Sequence, residues 1–260
     1  MSLKNKLVLI TGCTGGIGQA TARLLAAEGC SIAIHYASDS SKVKAEHLIK
    51  EFTQLSQSEE PSLVIRAAAF QADLSTYENA KKLHDDVVLT LGHPDIFFGN
   101  HGITKSVIGP NGNLGDISPQ MFEETWRTNT GTNFYLAQLC IPHMEKQKWG
   151  RIILTSSVAA LTGGVIGPHY ASSKAAMHGL IHWLSLRYAK DGICSNAIAP
   201  ALIENTSMLP SGTDELRSKI PIGRLGKPDE IASIVVMLAK NAYMTNKVIV
   251  ADGGWTGGGI

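Results

Sequence analysis

The chain has 260 residues, 44% hydrophobic and 17% charged, with a formal net charge of +1 at pH 7. This length suits one sizeable α/β unit, the charge gives no reason to expect nucleic acid or an anionic membrane as partner, and no apolar run reaches the roughly 18 residues of a spanning helix. Four cysteines, Cys13, Cys30, Cys140 and Cys194, show neither paired nor metal-ligand spacing. The first strand-like run starts at Leu7, leaving no room ahead of it for a signal peptide or a full transit peptide. We therefore expect reduced thiols, no metal site and a cytoplasmic location, with a mitochondrial one left open.

Short β-like runs alternate with helical ones. The strand-like runs are 7–11, 31–36, 64–69, 96–99, 151–155, 195–199 and 247–251. Most are apolar on both faces, as in a parallel sheet covered by helices. The first helix places Ile17, Ala20, Leu24 and Ala27 on one stripe. Another helix opens at Ser118-Pro119, an N-cap followed by a first-turn proline. Segment 109–115 reads as a loop. Segment 201–219, bounded by Pro200 and Pro221 and containing Pro210, reads as a substrate lid. The order predicts an α/β fold, a single doubly wound Rossmann-type domain over 1–260 with a parallel sheet of about seven strands.

Between the first strand and first helix lies Thr11-Gly12-Cys13-Thr14-Gly15-Gly16-Ile17-Gly18. Glycines there allow a tight turn and close approach to a pyrophosphate, and the helix start offers unpaired N–H groups. The lysine of a nucleoside-triphosphate loop is absent. The second strand ends His35-Tyr36-Ala37-Ser38, with no acid before Asp39. An acid there would accept from both ribose hydroxyls; without it there is space for a 2′-phosphate, which Ser38, Ser40, Ser41 and Lys42 could bind. The same four residues are equally consistent with plain capping of the next helix. NADP(H) is the expected cofactor, with NAD(H) left open.

Tyr170 and Lys174 stand one helical turn apart, so they share a face. A phenol is a poor base near neutrality, and a nearby ammonium, helped by an oxidised nicotinamide ring, favours the phenolate and lowers its pKa. Ser157 follows the fifth strand, where its hydroxyl can hydrogen-bond a substrate oxygen. Tyr-x-x-x-Lys alone is a common helix-face pattern; together with the glycine turn and a strand-end serine it points to proton handling beside a dinucleotide.

These motifs, taken together, resemble the short-chain dehydrogenase/reductase family over essentially the whole chain. Thr11-Gly12 to Gly18 matches its cofactor turn, and Asp73 its adenine-contacting acid. Asn100-His101-Gly102 matches Asn-Ala-Gly, with His101 in place of the usual alanine. Asn129, Ser157, Tyr170 and Lys174 match its catalytic tetrad. Pro200-Ala201 departs from the usual Pro-Gly, while Ile203 and Thr206 match residues that contact the carboxamide and phosphates. The resemblance implies cofactor contacts from Gly12, Thr14, Gly16, Ile17, Gly18, Ser38, Asp73, Asn100, Gly102, Tyr170, Lys174, Pro200, Ile203 and Thr206. It implies hydride transfer from NADPH to a carbonyl carbon, with Tyr170 protonating the oxygen, Ser157 orienting it, and Lys174 tuning Tyr170. Asn129, at an irregular point of its helix, would hold a water that links Lys174 to solvent. His169 is expected at solvent or the pocket rim rather than as a ligand.

The stretch 220–232 and the ending 248–254 are similar to 3-oxoacyl-[acyl-carrier-protein] reductases and their relatives. Three readings stay open: a reductase of 3-oxoacyl thioesters or similar ketones, an alcohol, polyol or sugar dehydrogenase, and a non-catalytic dinucleotide sensor. Lys148 sits where such reductases often carry a basic residue for an acidic carrier protein, but Asp191, with Lys190 beside it, stands where a second is often found. Assembly into a homotetramer through long helices near 118–148 and 169–190 is what the family implies.

Overall fold

A computed structural model describes residues 1–58, 64–209 and 213–257. The chain begins with β1 (Leu7–Ile10), α1 (Gly16–Ala27), β2 (Ser31–Tyr36), α2 (Lys42–Ser58), β3 (Ala67–Gln71), α3 (Tyr77–Thr90) and β4 (Ile96–Gly99). It continues with α4 (Pro119–Trp126), a π-helical turn (Arg127–Gly131), α5 (Thr132–Gln147), β5 (Gly150–Thr155), α6 (Ala159–Thr162) and α7 (Pro168–Tyr188). Last come β6 (Ile193–Pro200), α8 (Asp214–Ser218), α9 (Pro228–Lys240) and β7 (Lys247–Ala251).

The seven strands form one parallel sheet in the order β3-β2-β1-β4-β5-β6-β7. Side chains alternate between its faces. Val8 and Ile10 of β1 join Ile32, Ile34, Leu25 and Val235 in one core, while Leu7 and Leu9 join Ala33, Leu83, Leu136 and Ile181 in the other. Every residue of β1, β2 and β4 is buried. Each fully buried leucine or isoleucine contributes roughly 1.5–3 kcal/mol, which explains why unbroken apolar runs mark these strands. The chain order reverses between β1 and β4, and crevices at such switch points hold ligands at the carboxyl ends of the strands.

Two sequence expectations are corrected here. The third strand is not 64–69 but Ala67–Gln71. Its register is set by β2, with Ile32 opposite Ala67 and Tyr36 opposite Gln71, and Val64 is left exposed. The stripe expected on α1 is also displaced. Leu24 and Ala27 face solvent, and Gly18, Ala22, Leu25 and Ala26 are buried. Helix α1 must turn Gly18 inward because the glycine turn closes on it: a Cβ there would lie 2.7 Å from Cys13 Cα. Within the expected lid, residues 201–209 form an irregular segment and 214–218 form α8, while Pro210 lies outside the described residues.

Candidate active site

A cleft of about 2180 Å³ runs along the carboxyl ends of the strands. Pockets for drug-sized ligands span roughly 300–1,000 Å³, so this one has room for an extended dinucleotide with a second molecule beside it. Gly12, Thr14, Gly16 and Ile17 line it at the start of α1. Gly12 takes φ +59°, a conformation that side chains resist. Helix α1 starts with no side-chain cap and no acid in its first turn, so its N–H groups are free to meet an anion. A Cβ on Gly16 would strike the Asn205 carbonyl, so the 203–206 segment presses directly on the turn. These features fit a dinucleotide pyrophosphate.

Two buried histidines brace this region; the sequence places His101 in the Asn100-His101-Gly102 motif but announces no role for His35. Gly12 donates its N–H to His35 Nδ1 at 3.0 Å, and His35 Nε2 lies 2.9 Å from the Ala72 carbonyl. His101 Nδ1 lies 2.8 Å from the Thr11 hydroxyl and its Nε2 2.9 Å from the Thr128 carbonyl. Burial pushes His35 down to about 4 and His101 down to about 3. Asn100 donates its side-chain amide to the Gly12 carbonyl at 3.2 Å.

At the adenosine end, Asp73 lines the cleft and accepts the Ser75 N–H at 3.0 Å. Ser38 does not line it; its hydroxyl is 2.9 Å from that of Ser40. Lys42 does not line it either. Ser41 and Lys44 do, and Lys44 has no ion pair among the described residues. Lys44 is the basic residue that sequence reasoning missed. Helical geometry carries the signal: two residues along a helix turn a side chain through about 200°.

At the other end Ser157, Tyr170 and Lys174 converge on the cleft wall, with Gly102, Pro200, Ile203 and Thr206 around them. Lys174 is almost fully buried and donates to the Thr155 carbonyl at 2.7 Å. Burial pushes it down to about 8. Burial raises Tyr170 above the ordinary phenol value, and a hydrogen bond with Ser157 opposes the rise. The Lys174 ammonium is turned to Thr155 and lies 5.7 Å from the Tyr170 ring centroid. Asn129 is wholly buried in the π-helical turn, behind the lining residues. Its Oδ1 accepts the Ile103 N–H at 2.8 Å, and its Nδ2 donates to Ile103 O and Ser173 Oγ, each at 3.0 Å. The π-turn opens the helix at the point where the side chain leaves it.

His169 is not at solvent. It is fully buried and hydrogen-bonds the Thr104 carbonyl through Nε2 at 2.8 Å, fixing the segment that leaves β4. Among the described residues no group of three or more His, Cys, Asp or Glu side chains is placed to hold a metal ion. No described helix is long and apolar enough to cross a membrane.

A doubly wound parallel sheet, an uncapped glycine turn at its switch point and a tyrosine–lysine pair in the same cleft define a Rossmann-type oxidoreductase. A family profile described as enoyl-(acyl carrier protein) reductase matches residues 12–256. The chain belongs to the short-chain dehydrogenase/reductase family. It is 34% identical to 3-oxoacyl-[acyl-carrier-protein] reductase of Thermotoga maritima, over 98% of this chain and 99% of that one. It is 30% identical to L-rhamnose 1-dehydrogenase (NAD(P)(+)) of a Sphingomonas species, over 97% of this chain and 96% of the other. The fold superimposes with a TM-score of 0.86 on the crystal structure of a blue fluorescent protein from a metagenomic library in complex with NADPH, at 30% identity, covering 98% and 99% of the two chains.

Proposed function

We propose that this protein is an NADP(H)-dependent carbonyl reductase acting on a 3-oxoacyl thioester or a related ketone. The observation that carries this reading is the placing of Tyr170, Ser157 and Lys174 in one cleft with an uncapped glycine turn. NADPH, when bound, supplies hydride to the carbonyl carbon. Tyr170 gives its proton to the carbonyl oxygen, and Ser157 hydrogen-bonds that oxygen and sets its position. Burial keeps the phenol protonated until the oxygen gains charge. Lys174, near its own pKa at about 8, stabilises the phenolate left behind and passes it a proton. Asn129 holds Ile103 and Ser173 on either side of this route, where a water can meet Lys174. Gly12, Gly16, Asn100, Asp73, Ile203 and Thr206 would hold the dinucleotide, with Lys44 and Ser41 at a 2′-phosphate. Residues 1–260 act as one catalytic domain, in the cytoplasm. Exposed Phe134, Trp183 and Leu186 on α5 and α7 suit pairing of copies into a homotetramer.

A second reading, a dehydrogenase of free alcohols or sugars, is favoured by the surface near Lys148. Asp191 ties Lys148 at 2.6 Å and Arg187 at 3.3 Å, and Glu145 lies 3.5 Å from Arg187. That charge-balanced cluster offers little to an acidic carrier protein. The sensor reading has no use for Tyr170.

The test is NADPH and NADH absorbance with an acetoacetyl thioester, a diketone, and sugars and polyols run in the oxidising direction. Fast NADPH loss with the thioester supports the first reading, and turnover confined to sugars supports the second. Turnover abolished by Tyr170→Phe with dinucleotide binding retained separates an enzyme from a sensor.

A further inference from the structure

His101 stands between the two halves of the site. Its Nε2 faces a carbonyl, Thr128 O, at 2.9 Å, so Nε2 carries the proton and donates. Nδ1 is then bare and accepts from the Thr11 hydroxyl at 2.8 Å. The same hydroxyl accepts the N–H groups of Asn100 at 3.0 Å and His101 at 3.3 Å. Each end of the imidazole therefore grips a residue adjoining a functional one. Thr11 immediately precedes Gly12 of the dinucleotide turn, and Thr128 immediately precedes Asn129 in the π-turn. The next residue, Gly102, lies so close to the catalytic lysine that a Cβ on it would come within 3.2 Å of Lys174 Nζ and 3.4 Å of Asn129 Oδ1.

We propose that His101 is a positioning residue that couples the dinucleotide turn to the Asn129 π-turn, so that binding the cofactor sets Asn129 and Lys174 for proton transfer. The proposal rests on the reading of the cleft as a dinucleotide site. The bridge crosses the cleft floor through a ring with no internal torsions, and a rigid link of this kind transmits a displacement instead of absorbing it. Thr11 has a second acceptor, the Phe98 carbonyl at 3.4 Å, so the turn can close without His101. What the turn then loses is its connection to Thr128.

The experiment uses the full chain as wild type, H101A, H101Q, N129A and H101A/N129A. NADPH fluorescence titration gives Kd, and steady-state turnover with the best substrate gives kcat. H101A is expected to raise the NADPH Kd about fivefold and lower kcat about tenfold, in line with losing hydrogen bonds at both ends of the bridge. Gln can accept from Thr11 and donate to Thr128, so H101Q should return both values to within about threefold of wild type. In the N129A background, H101A should cost less than about twofold further in kcat, because both act on one element. Full additivity of the two losses overturns the proposal, as does H101A with wild-type Kd and kcat. Should H101A not fold, His101→Leu fills the volume without either bond and is judged by the same outcomes. A wild-type chain that binds neither NADPH nor NADH overturns the functional reading itself. Wild-type binding with unaltered variants overturns the coupling alone.

Discussion

His35 receives the Gly12 N–H on Nδ1 at 3.0 Å while its Nε2 faces the Ala72 carbonyl at 2.9 Å, so the dinucleotide turn rests on one neutral tautomer. An imidazolium has no acceptor to offer Gly12. Protonation would put two N–H groups against each other at the point where the backbone takes φ +59°.

Acid should therefore loosen this protein through His35. Burial, opposed by the hydrogen bond to Ala72, lowers it from 6.5 to about 4. The folded value lies below the unfolded one, so this stabilisation is complete above 6.5 and is lost as pH falls towards 4. The loss over that interval is on the order of 3 kcal/mol. Thermal unfolding between about pH 7.5 and about pH 4 reads it, with His35→Gln as the side chain that cannot titrate. The wild-type Tm should fall more steeply than that of the variant, and parallel curves would remove His35 from the account.

The glycine turn makes a sharper steric prediction. A Cβ on Gly18 would lie 2.7 Å from Cys13 Cα and 2.8 Å from Cys13 O, both backbone atoms that cannot rotate away. On Gly15 the nearest atom would be the Gly12 carbonyl at 3.3 Å. Gly18→Ala should thus lower stability by about 1–3 kcal/mol through overpacking and weaken NADPH binding, while Gly15→Ala should cost well under half as much. Chemical denaturation and fluorescence titration of the two variants measure this, and equal effects would mean the turn yields at both places.

How much of this was legible in the sequence depends on what each feature needs. Strands buried on both faces are continuous apolar runs, so 31–36 and 96–99 match Ser31–Tyr36 and Ile96–Gly99, and the half-buried edge run 247–251 matches Lys247–Ala251. The edge strand β3 is Ala67–Gln71, where pairing with β2 sets the ends. Tyr170 and Lys174 were legible because helical spacing alone puts them on one face. His101 stood out as a departure within Asn100-His101-Gly102, but the bracing contacts of His35 and His101 were not legible: each acts through atoms brought near it by the sheet order β2-β1-β4, between 23 and 90 residues away in the chain. Lys44 was not legible either, because proximity in sequence to Ser38, which points to Lys42, does not say where α2 directs its side chains.

Lys44 should decide between the two nicotinamide dinucleotides. It lines the adenosine end of the cleft beside Ser41 and has no ion-pair partner among the described residues. A phosphate there would gain a charge-assisted hydrogen bond, worth about 1.5–3 kcal/mol. Lys44→Ala should raise the NADPH Kd by roughly tenfold or more and leave the NADH Kd within about twofold. Isothermal titration with both cofactors checks it. A loss shared equally by the two would move the 2′-phosphate site elsewhere.

Lys174 sets function against stability. Its ammonium is almost fully buried, with the Thr155 carbonyl as the hydrogen-bond acceptor at 2.7 Å. Burial lowers it from 10.5 to about 8, so the folded state holds the charged form less willingly than the unfolded chain does. Stability is then greatest above the unfolded value and falls as pH drops from 10.5 to about 8, below which the penalty is constant. At neutral pH that penalty is on the order of 3 kcal/mol. Lys174→Met keeps the length and removes the charge, at the cost of a Thr155 carbonyl without its donor, about 1–3 kcal/mol. The variant should lose nearly all turnover yet unfold at a Tm equal to or a few degrees above that of wild type at pH 7, with the difference shrinking as pH rises past 8. Differential scanning calorimetry from neutral to alkaline pH tests this. A variant several degrees less stable at pH 7 would show that the lysine is a structural element of the cleft as well as a proton carrier.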